Sequence, residues 1–280
     1  MVKVGVIGHT GRLGKPLVEL ICNHPGAELV YTESRKEGAD GDLESVDCMF
    51  FTLPKGESEQ YLTKCKEKRL IDLSEDHRDN SRWVYGLSEM NREEIKAARR
   101  VANPGCYATS VILGLLPIKG CVSQINISST SGISGAGLEV IKIDQFLIYK
   151  EGREHPHLKE ITAALAYNQE SPGEILFVPQ RIDNTDRGII STIFSTFSGF
   201  GPIQEKYDTF YKNNPFVSMV KKIETRAVNN TNRCHIKVSE FGERLIILSA
   251  LDNILKGGSG QAIQNFNIMY GFDETLGLPL

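Results

Sequence analysis

Val2-Lys-Val-Gly-Val-Ile7-Gly8-His-Thr-Gly11-Arg-Leu-Gly14-Lys15 is the stretch that decides the fold of the first part of this chain. A short apolar run ends in glycine, as buried parallel strands do. Helical apolar spacing then runs from Lys15 to Cys22 (Leu17, Val18, Leu20, Ile21) and is stopped by His24-Pro25-Gly26. A second strand is expected over Ala27 to Thr32, which completes a βαβ unit with a glycine-rich first turn. The spacing Gly8-x-x-Gly11-x-x-Gly14 departs from GxGxxG. Its glycines still fall at the turn, at a close approach to pyrophosphate, and at helix–strand packing. The end of the second strand reads Glu33-Ser34-Arg35-Lys36. A hydroxyl and two cations suit a 2′-phosphate and point to NADP(H). Glu33 stands against this, because an acidic residue there grips the ribose 2′-OH of NAD. An ordinary solvated turn is the plain alternative. The cofactor set read from this unit is Gly8, Thr10, Gly11, Arg12, Leu13, Gly14, Ser34 and Arg35.

Working outward, Asp47 to Leu53 reads as a third strand and Leu70 to Asp72 as a fourth. Residues 91–99 read as a surface helix with Asn91 as N-cap and Glu94 three residues on. After about residue 120 the pattern changes to alternation: Gln124 to Thr130, Gly188 to Phe197 and Arg244 to Ala250. That predicts a second domain with a mainly antiparallel sheet and helices. Ser259 to Tyr270 reads as a long helix with Ile263, Phe266 and Met269 on one face, able to pack back on the first domain. The segment 150–156 is the expected mobile loop.

At 280 residues the chain has room for two modest domains or one large one. Net charge of −3 without a basic stripe argues against a nucleic-acid partner. No apolar run approaches the roughly 20 residues of a membrane helix. The N-terminus goes straight into a strand, so a signal peptide is not expected, and the cytoplasm is the expected compartment. The six cysteines form no CxxC and no zinc spacing. They are expected as free thiols, with no metal site.

One cysteine stands apart. Asn103-Pro-Gly-Cys106-Tyr-Ala-Thr109 leads at once into the apolar stretch Ser110 to Leu116. Gly105 permits a tight backbone approach, and Pro104 blocks an earlier helix from running on. Cys106 is thereby expected near a helix N-terminus, where orphan N–H groups and the helix dipole favour a thiolate. Such a thiolate attacks carbonyl carbon, and the adjacent N–H groups can hold the oxyanion. The plain alternative is a buried structural cysteine. His155-Pro156-His157-Leu-Lys-Glu160 opens a helix with Pro156 in its first turn. His157 and Glu160 share a face, as a base and its orienting partner do. A surface pair capping the helix is equally compatible with these residues.

Several segments together resemble the N-acetyl-γ-glutamyl-phosphate reductase family of arginine biosynthesis, within the wider aspartate-semialdehyde dehydrogenase group. They are Leu70-Ile-Asp-Leu-Ser74, Tyr85-Gly-Leu-Ser-Glu89, Val101 to Tyr107, Ser131-Gly-Ile-Ser-Gly-Ala-Gly137, the His-x-His-x-x-Glu at 155–160, Arg187-Gly-Ile189, and Ser249-Ala-Leu-Asp-Asn253 through Gln261 to Gly277. The resemblance spans nearly the whole chain. It implies an α/β Rossmann NADP-binding domain (1–105 plus 253–280) and an α+β catalytic and dimerisation domain with a mainly antiparallel sheet (106–252). It implies NADPH-dependent reduction of an acyl phosphate to a semialdehyde through a thioester on Cys106, with His157 as general acid/base and Glu160 as its partner. Ser131, Gly132 and Asn253 would lie near the cofactor, and Arg78, Asn103, Tyr149 and Arg187 near the substrate. The resemblance further suggests a homodimer or homotetramer.

The departures are local. The loops after residue 36 and between 137 and 155 are short. His9-Thr10 and Arg12-Leu13 replace the usual first-turn residues, and His77 stands where the family usually has Phe. Pro179-Gln180-Arg181 replaces a Pro-His-Leu pattern. Arg181 is either a plain surface charge or a contact for a small acidic carrier protein, as in a related branch that reduces carrier-bound glutamyl or aminoadipyl phosphate. A third reading is an NADP-binding sensor that has lost catalysis, against which the presence of Cys106, His157 and Glu160 together argues.

Overall fold

A computed structural model describes residues 1–135, 144–166 and 172–280. The chain packs as two units, one formed by Met1–Gly105 with Gly258–Leu280 and the other by Cys106–Gly257.

In the first unit, β1 (Val2–Ile7), α1 (Gly14–Cys22) and β2 (Ala27–Ser34) form the expected βαβ unit. β3 (Gly38–Gly41), β4 (Cys48–Phe51), β5 (Arg69–Asp72), β6 (Val84–Tyr85) and β7 (Arg100–Ala102) complete a seven-stranded sheet in the order β3-β2-β1-β4-β5-β7-β6. All pairings are parallel except the exposed edge hairpin β2/β3. β4 is Cys-Met-Phe-Phe, buried on both faces, as a central parallel strand must be. The short glycine-rich β3 carried no strand pattern in the sequence.

The helix expected at 91–99 is instead α2 (Ser88–Ala97). Asn91 is not its N-cap. It sits at a break inside the helix (φ −126°, ψ 34°), and its Nδ2 donates to the Tyr85 carbonyl at 2.8 Å. The last helix, α6 (Gly260–Tyr270), follows a π-helical turn at Leu255–Ser259 and is capped by Gly271 at φ +72°. It packs on α1, α2 and β5. The expected single apolar face is not what holds it, because every residue from Gly260 to Met269 is buried. Its polar residues are buried because each meets a partner. Asn265 Nδ2 bonds the Gly86 carbonyl at 2.8 Å, Gln264 Nε2 bonds Ser88 Oγ at 2.7 Å, and Asn267 Oδ1 meets His24 Nε2 at 2.8 Å.

The second unit opens with α3 (Cys106–Leu115), buried along its length from Tyr107 onward. Its sheet comprises β8 (Val122–Gly132), β9 (Phe146–Ile148), β10 (Ile175–Ile182), β11 (Ile189–Phe197), β12 (Val217–Met219), β13 (Cys234–Phe241) and β14 (Arg244–Leu251). The order is β12-β13-β14-β11-β8-β10-β9. Two of the neighbouring pairs, β8/β10 and β12/β13, are parallel, so the sheet is mixed though mainly antiparallel. α4 (His157–Leu165) and α5 (Ile203–Tyr211) complete the unit.

Serines on one sheet face register α3. Ser110 Oγ lies 2.9 Å from Ser191 Oγ and 3.1 Å from Ser249 Oγ, within hydrogen-bond reach of both, and Ser129 Oγ reaches Ser191 Oγ at 2.7 Å. The 150–156 segment, expected as a mobile loop, is tied to β10 by reciprocal backbone bonds between Gly152 and Phe177 (2.8 and 3.1 Å). Of the quoted Ser131–Gly137 motif, Ala136 and Gly137 lie outside the described residues.

Candidate active site

The nucleotide turn belongs to the first unit. Gly8 has φ +92°, and a Cβ there would sit 2.5 Å from the Thr52 carbonyl oxygen. A Cβ on Gly14 would sit 2.2 Å from the Gly8 carbonyl oxygen, so any larger residue would force α1 away from β1. Leu13 is the N-cap of α1 and supplies no side-chain bond to its first amides. Arg12 Nε is buried with no hydrogen-bond partner among the described residues. An uncapped helix N-terminus beside a buried guanidinium nitrogen suits a phosphate group.

At the end of β2, Glu33 is already engaged. Its carboxylate accepts bonds from Tyr31 Oη and from Lys64 Nζ (2.6 Å). Burial alone would raise its pKa, but the Lys64 and Tyr31 bonds outweigh this and hold it low. Ser34 Oγ accepts the Glu37 amide at 3.1 Å, and Arg35 extends into solvent beside Glu57. The charge of Glu33 is thus met by Lys64, which weakens the objection it raises to a 2′-phosphate.

Two further expected residues brace the same unit. Asn103 is buried, bonding the Gly258 carbonyl and Asn265 Nδ2, each at 3.1 Å. Arg78 donates from Nε to the Asn103 carbonyl at 3.0 Å and from an Nη to the Leu73 carbonyl at 2.9 Å. Together they brace the backbone at Leu73, Asn103 and Gly258. His77 keeps an aromatic role, stacked on Trp83 with centroids 4.2 Å apart.

In the second unit Cys106 is the first residue of α3 and is half-buried. A Cβ on Gly257 would lie 2.7 Å from Cys106 Cβ and 3.2 Å from its Cα. The glycine is therefore the floor on which the cysteine rests. The turn that presents Gly257 is organised by Asp252, which is fully buried. Its Oδ1 accepts the Ile254 and Leu255 amides (2.8 and 3.0 Å), and its Oδ2 accepts the Asn230 amide (2.7 Å) and an Arg187 Nη at 3.5 Å. Asn253 bonds the Gly188 amide and Ser134 Oγ, both at 2.8 Å. Gly132 donates its amide to the Gly188 carbonyl at 3.0 Å. Ser131, Gly132, Arg187 and Asn253 thus meet at one edge of the sheet. That is the edge to which the register of Ser110 points the start of α3.

Tyr107 carries the histidines to the same place. Its ring centroid lies 5.5 Å from that of His155 and 6.0 Å from that of His157, and the two imidazoles are 4.6 Å apart. Tyr107 Oη donates to the Gln180 carbonyl at 2.8 Å and meets Tyr149 Oη at 3.1 Å. His157 and Glu160 are both buried, which excludes an exposed helix-capping pair. His155 Nδ1 accepts the His157 amide at 3.2 Å. Burial, reinforced by the Lys150 charge, lowers the His155 pKa to about 4, so this imidazole is neutral at pH 7. The sequence reading missed Gly257, Asp252 and Tyr107 as parts of the site. Only the Gly257-Gly258 doublet after a buried strand offered a signal.

Arg181 is not a plain surface charge. Its side chain is 17% exposed and forms a two-pronged pair with the fully buried Asp183.

Known proteins match both units. Residues 106–253 match the semialdehyde dehydrogenase dimerisation domain, and residues 36–98 the NAD-binding domain of the same group. An N-acetyl-gamma-glutamyl-phosphate reductase from Bacteroides thetaiotaomicron is 34% identical over 319 aligned positions, covering 100% of this chain and 98% of the relative.

The chain belongs to the N-acetyl-γ-glutamyl-phosphate reductase family.

A family member from Christiangramia forsetii is likewise 34% identical, with the same coverage. The fold is shared more widely. Aspartate semialdehyde dehydrogenase II from Vibrio cholerae superposes with a TM-score of 0.78 at 14% identity, covering 97% of this chain and 98% of that one. The Candida albicans aspartate semialdehyde dehydrogenase superposes at 0.76 and 14%, covering 96% and 99%. Among the described residues no helix is long and apolar enough to cross a membrane, and no cluster of three metal-ligating side chains occurs.

Proposed function

We propose that this chain catalyses the NADPH-dependent reduction of N-acetyl-γ-glutamyl phosphate to N-acetylglutamate semialdehyde and phosphate, a step of arginine biosynthesis. The observation that carries this reading is Cys106 at the first position of a buried helix, in the chain of a family whose relatives bear that reaction in their name.

The N-terminal position favours the thiolate and offers backbone N–H groups to the oxyanion. The Cys106 sulfur attacks the γ-acyl carbon, a C–S bond forms, and the C–O bond to phosphate breaks. The products are a thioester and inorganic phosphate. NADPH, when bound, supplies the hydride that brings the thioester carbon to the aldehyde level. C–S cleavage then returns the thiolate as the semialdehyde leaves. His157 handles the proton at the substrate oxygen, with Glu160 as its partner. Neutral His155 holds the His157 amide and adds no positive charge beside it.

Gly8, Thr10, Gly11, Arg12, Leu13 and Gly14 would hold the pyrophosphate, with Ser34 and Arg35 at the 2′-phosphate. Ser131, Gly132 and Asn253 would sit toward the nicotinamide. Arg78 and Arg187 would take the phosphate and acyl parts of the substrate, and Tyr149 and Asn103 would shape its pocket. The unit Met1–Gly105 with Gly258–Leu280 is the cofactor-binding part, and Cys106–Gly257 the catalytic and oligomer-forming part. The outer face of the second sheet leaves Phe146, Ile148, Leu176 and Phe194 exposed, which favours a homodimer through that sheet or a tetramer built from it.

Cys106→Ser tests the mechanism. It should abolish phosphate-dependent NADPH formation from N-acetylglutamate semialdehyde and NADP⁺, with NADPH affinity unchanged within about twofold. Retained turnover would remove the thioester from the scheme.

A further inference from the structure

Arg181 has no part in the reaction derived above, yet the fold places it with care. It lies near the end of β10, opposite Ser131 of β8 and Leu147 of β9. Side chains two apart on a strand share a face, so Ser131 shares the face of Ser129, the serine linked through Ser191 to Ser110 of α3. Arg181 therefore points to the face that carries α3, at the level of its first turn. Tyr107 Oη bonds the carbonyl of the preceding residue, Gln180, and both Tyr107 and Tyr149 are close enough to act on the charge of Arg181.

The orientation of the guanidinium is fixed from one side. Nε and one Nη donate to the two oxygens of Asp183, the second bond at 3.0 Å. Asp183 is itself held by Gln145 Nε2 at 2.6 Å. This side-on pair uses one edge of the guanidinium. The edge made by the two Nη groups points away from Asp183, and it is the edge that takes a carboxylate end-on with two parallel bonds.

We propose that Arg181 binds the α-carboxylate of the substrate, so that the enzyme selects acyl phosphates carrying a second, free carboxylate. The inference rests on the reductase reading. In N-acetyl-γ-glutamyl phosphate three carbons separate that carboxylate from the acyl carbon that Cys106 attacks. Asp183 and Gln145 are the positioning residues of this subsite.

The test compares two aldehydes in the reverse reaction with phosphate and NADP⁺: N-acetylglutamate semialdehyde, and 4-acetamidobutanal, which is the same molecule without the carboxylate. Arg181→Met combined with Asp183→Asn removes the charge without stranding a buried carboxylate. Arg181→Lys keeps a charge opposite Asp183 but loses the fork, and serves if the double variant does not fold. Either should raise the KM for N-acetylglutamate semialdehyde about 100-fold, the loss expected for a two-bond charged contact. The KM for NADP⁺ should stay within about twofold, and kcat/KM for 4-acetamidobutanal within about threefold. Equal losses on both aldehydes, or no loss on either, would overturn the inference.

Should the wild-type protein turn over neither aldehyde, the reductase reading fails by itself. Calorimetric binding of N-acetylglutamate to the Cys106→Ser protein, with and without the Arg181 change, then decides the subsite. Weakening only in the Arg181-substituted protein supports it. Equal binding in both, or binding in neither, overturns it.

Discussion

Gly257→Ala is the substitution whose effect the structure defines most sharply. The new methyl carbon would stand 2.7 Å from Cys106 Cβ, 3.2 Å from its Cα and 3.3 Å from the Asp252 carbonyl oxygen. Two carbons rest at roughly 3.5 Å or more, so the first contact is about 0.8 Å too short. None of these atoms is the far end of a flexible side chain, so relief has to come from backbone. The Asp252 turn is held by four hydrogen bonds to its carboxylate, and α3 is packed along its length. The first turn of α3, which carries the nucleophile, is therefore expected to shift by several tenths of an ångström. Overpacking of this kind costs about 1–3 kcal/mol of stability. A nucleophile displaced by about 1 Å loses on the order of 100-fold in rate. We expect kcat in the reverse assay to fall about 100-fold, the KM for NADP⁺ to stay within about twofold, and Cys106 to react with iodoacetamide at a changed rate. Wild-type kcat in a folded Gly257→Ala protein would refute the argument that Gly257 sets the position of the thiol.

Two further outcomes follow from the electrostatics. His155 has a folded pKa of about 4 against 6.5 for a solvent-exposed imidazole, so the unfolded chain takes up its proton more readily. Stability is then complete above pH 6.5, falls by up to about 3 kcal/mol as pH drops from 6.5 to 4, and levels below. His155→Asn keeps an acceptor for the His157 amide and should flatten that limb of a denaturant-midpoint titration; an unchanged slope assigns the acid loss elsewhere. Lys64→Met leaves Glu33 without its cation, and the preference for NADP⁺ over NAD⁺, measured as the ratio of kcat/KM, should drop about 10-fold by loss of a close charge pair. An unaltered ratio would mean that Glu33 does not face the ribose.

Much of the candidate site was legible because its signals are local. Pro104-Gly105 before Cys106, and Pro156 before His157, are instructions to the backbone that hold wherever the segment folds. The glycines at 8, 11 and 14 work the same way. What failed did so for a common reason. Asn91 has the residue type of an N-cap, yet the contacts of α2 with α6 and β6 start the helix at Ser88, and Asn91 bonds back to Tyr85. The one-sided face read on α6 missed Asn265 and Asn267, whose partners Gly86 and His24 are remote in sequence. Glu33 looked like an NAD signature because Lys64, the cation that meets its charge, lies far along the chain.

The sequence by itself determined the βαβ start, the change of character near residue 120, the helix-borne thiol, the helix that opens at His157 and the family. All of these rest on patterns within about ten residues or on motif order. Tertiary structure alone decided that Gly257 supports Cys106, that neutral His155 packs against His157, and that Asp183 holds the guanidinium of Arg181 from one side. Those relations depend on register and on contacts across long stretches of chain. Hydrophobic periodicity records which face is buried, but not which residue it meets.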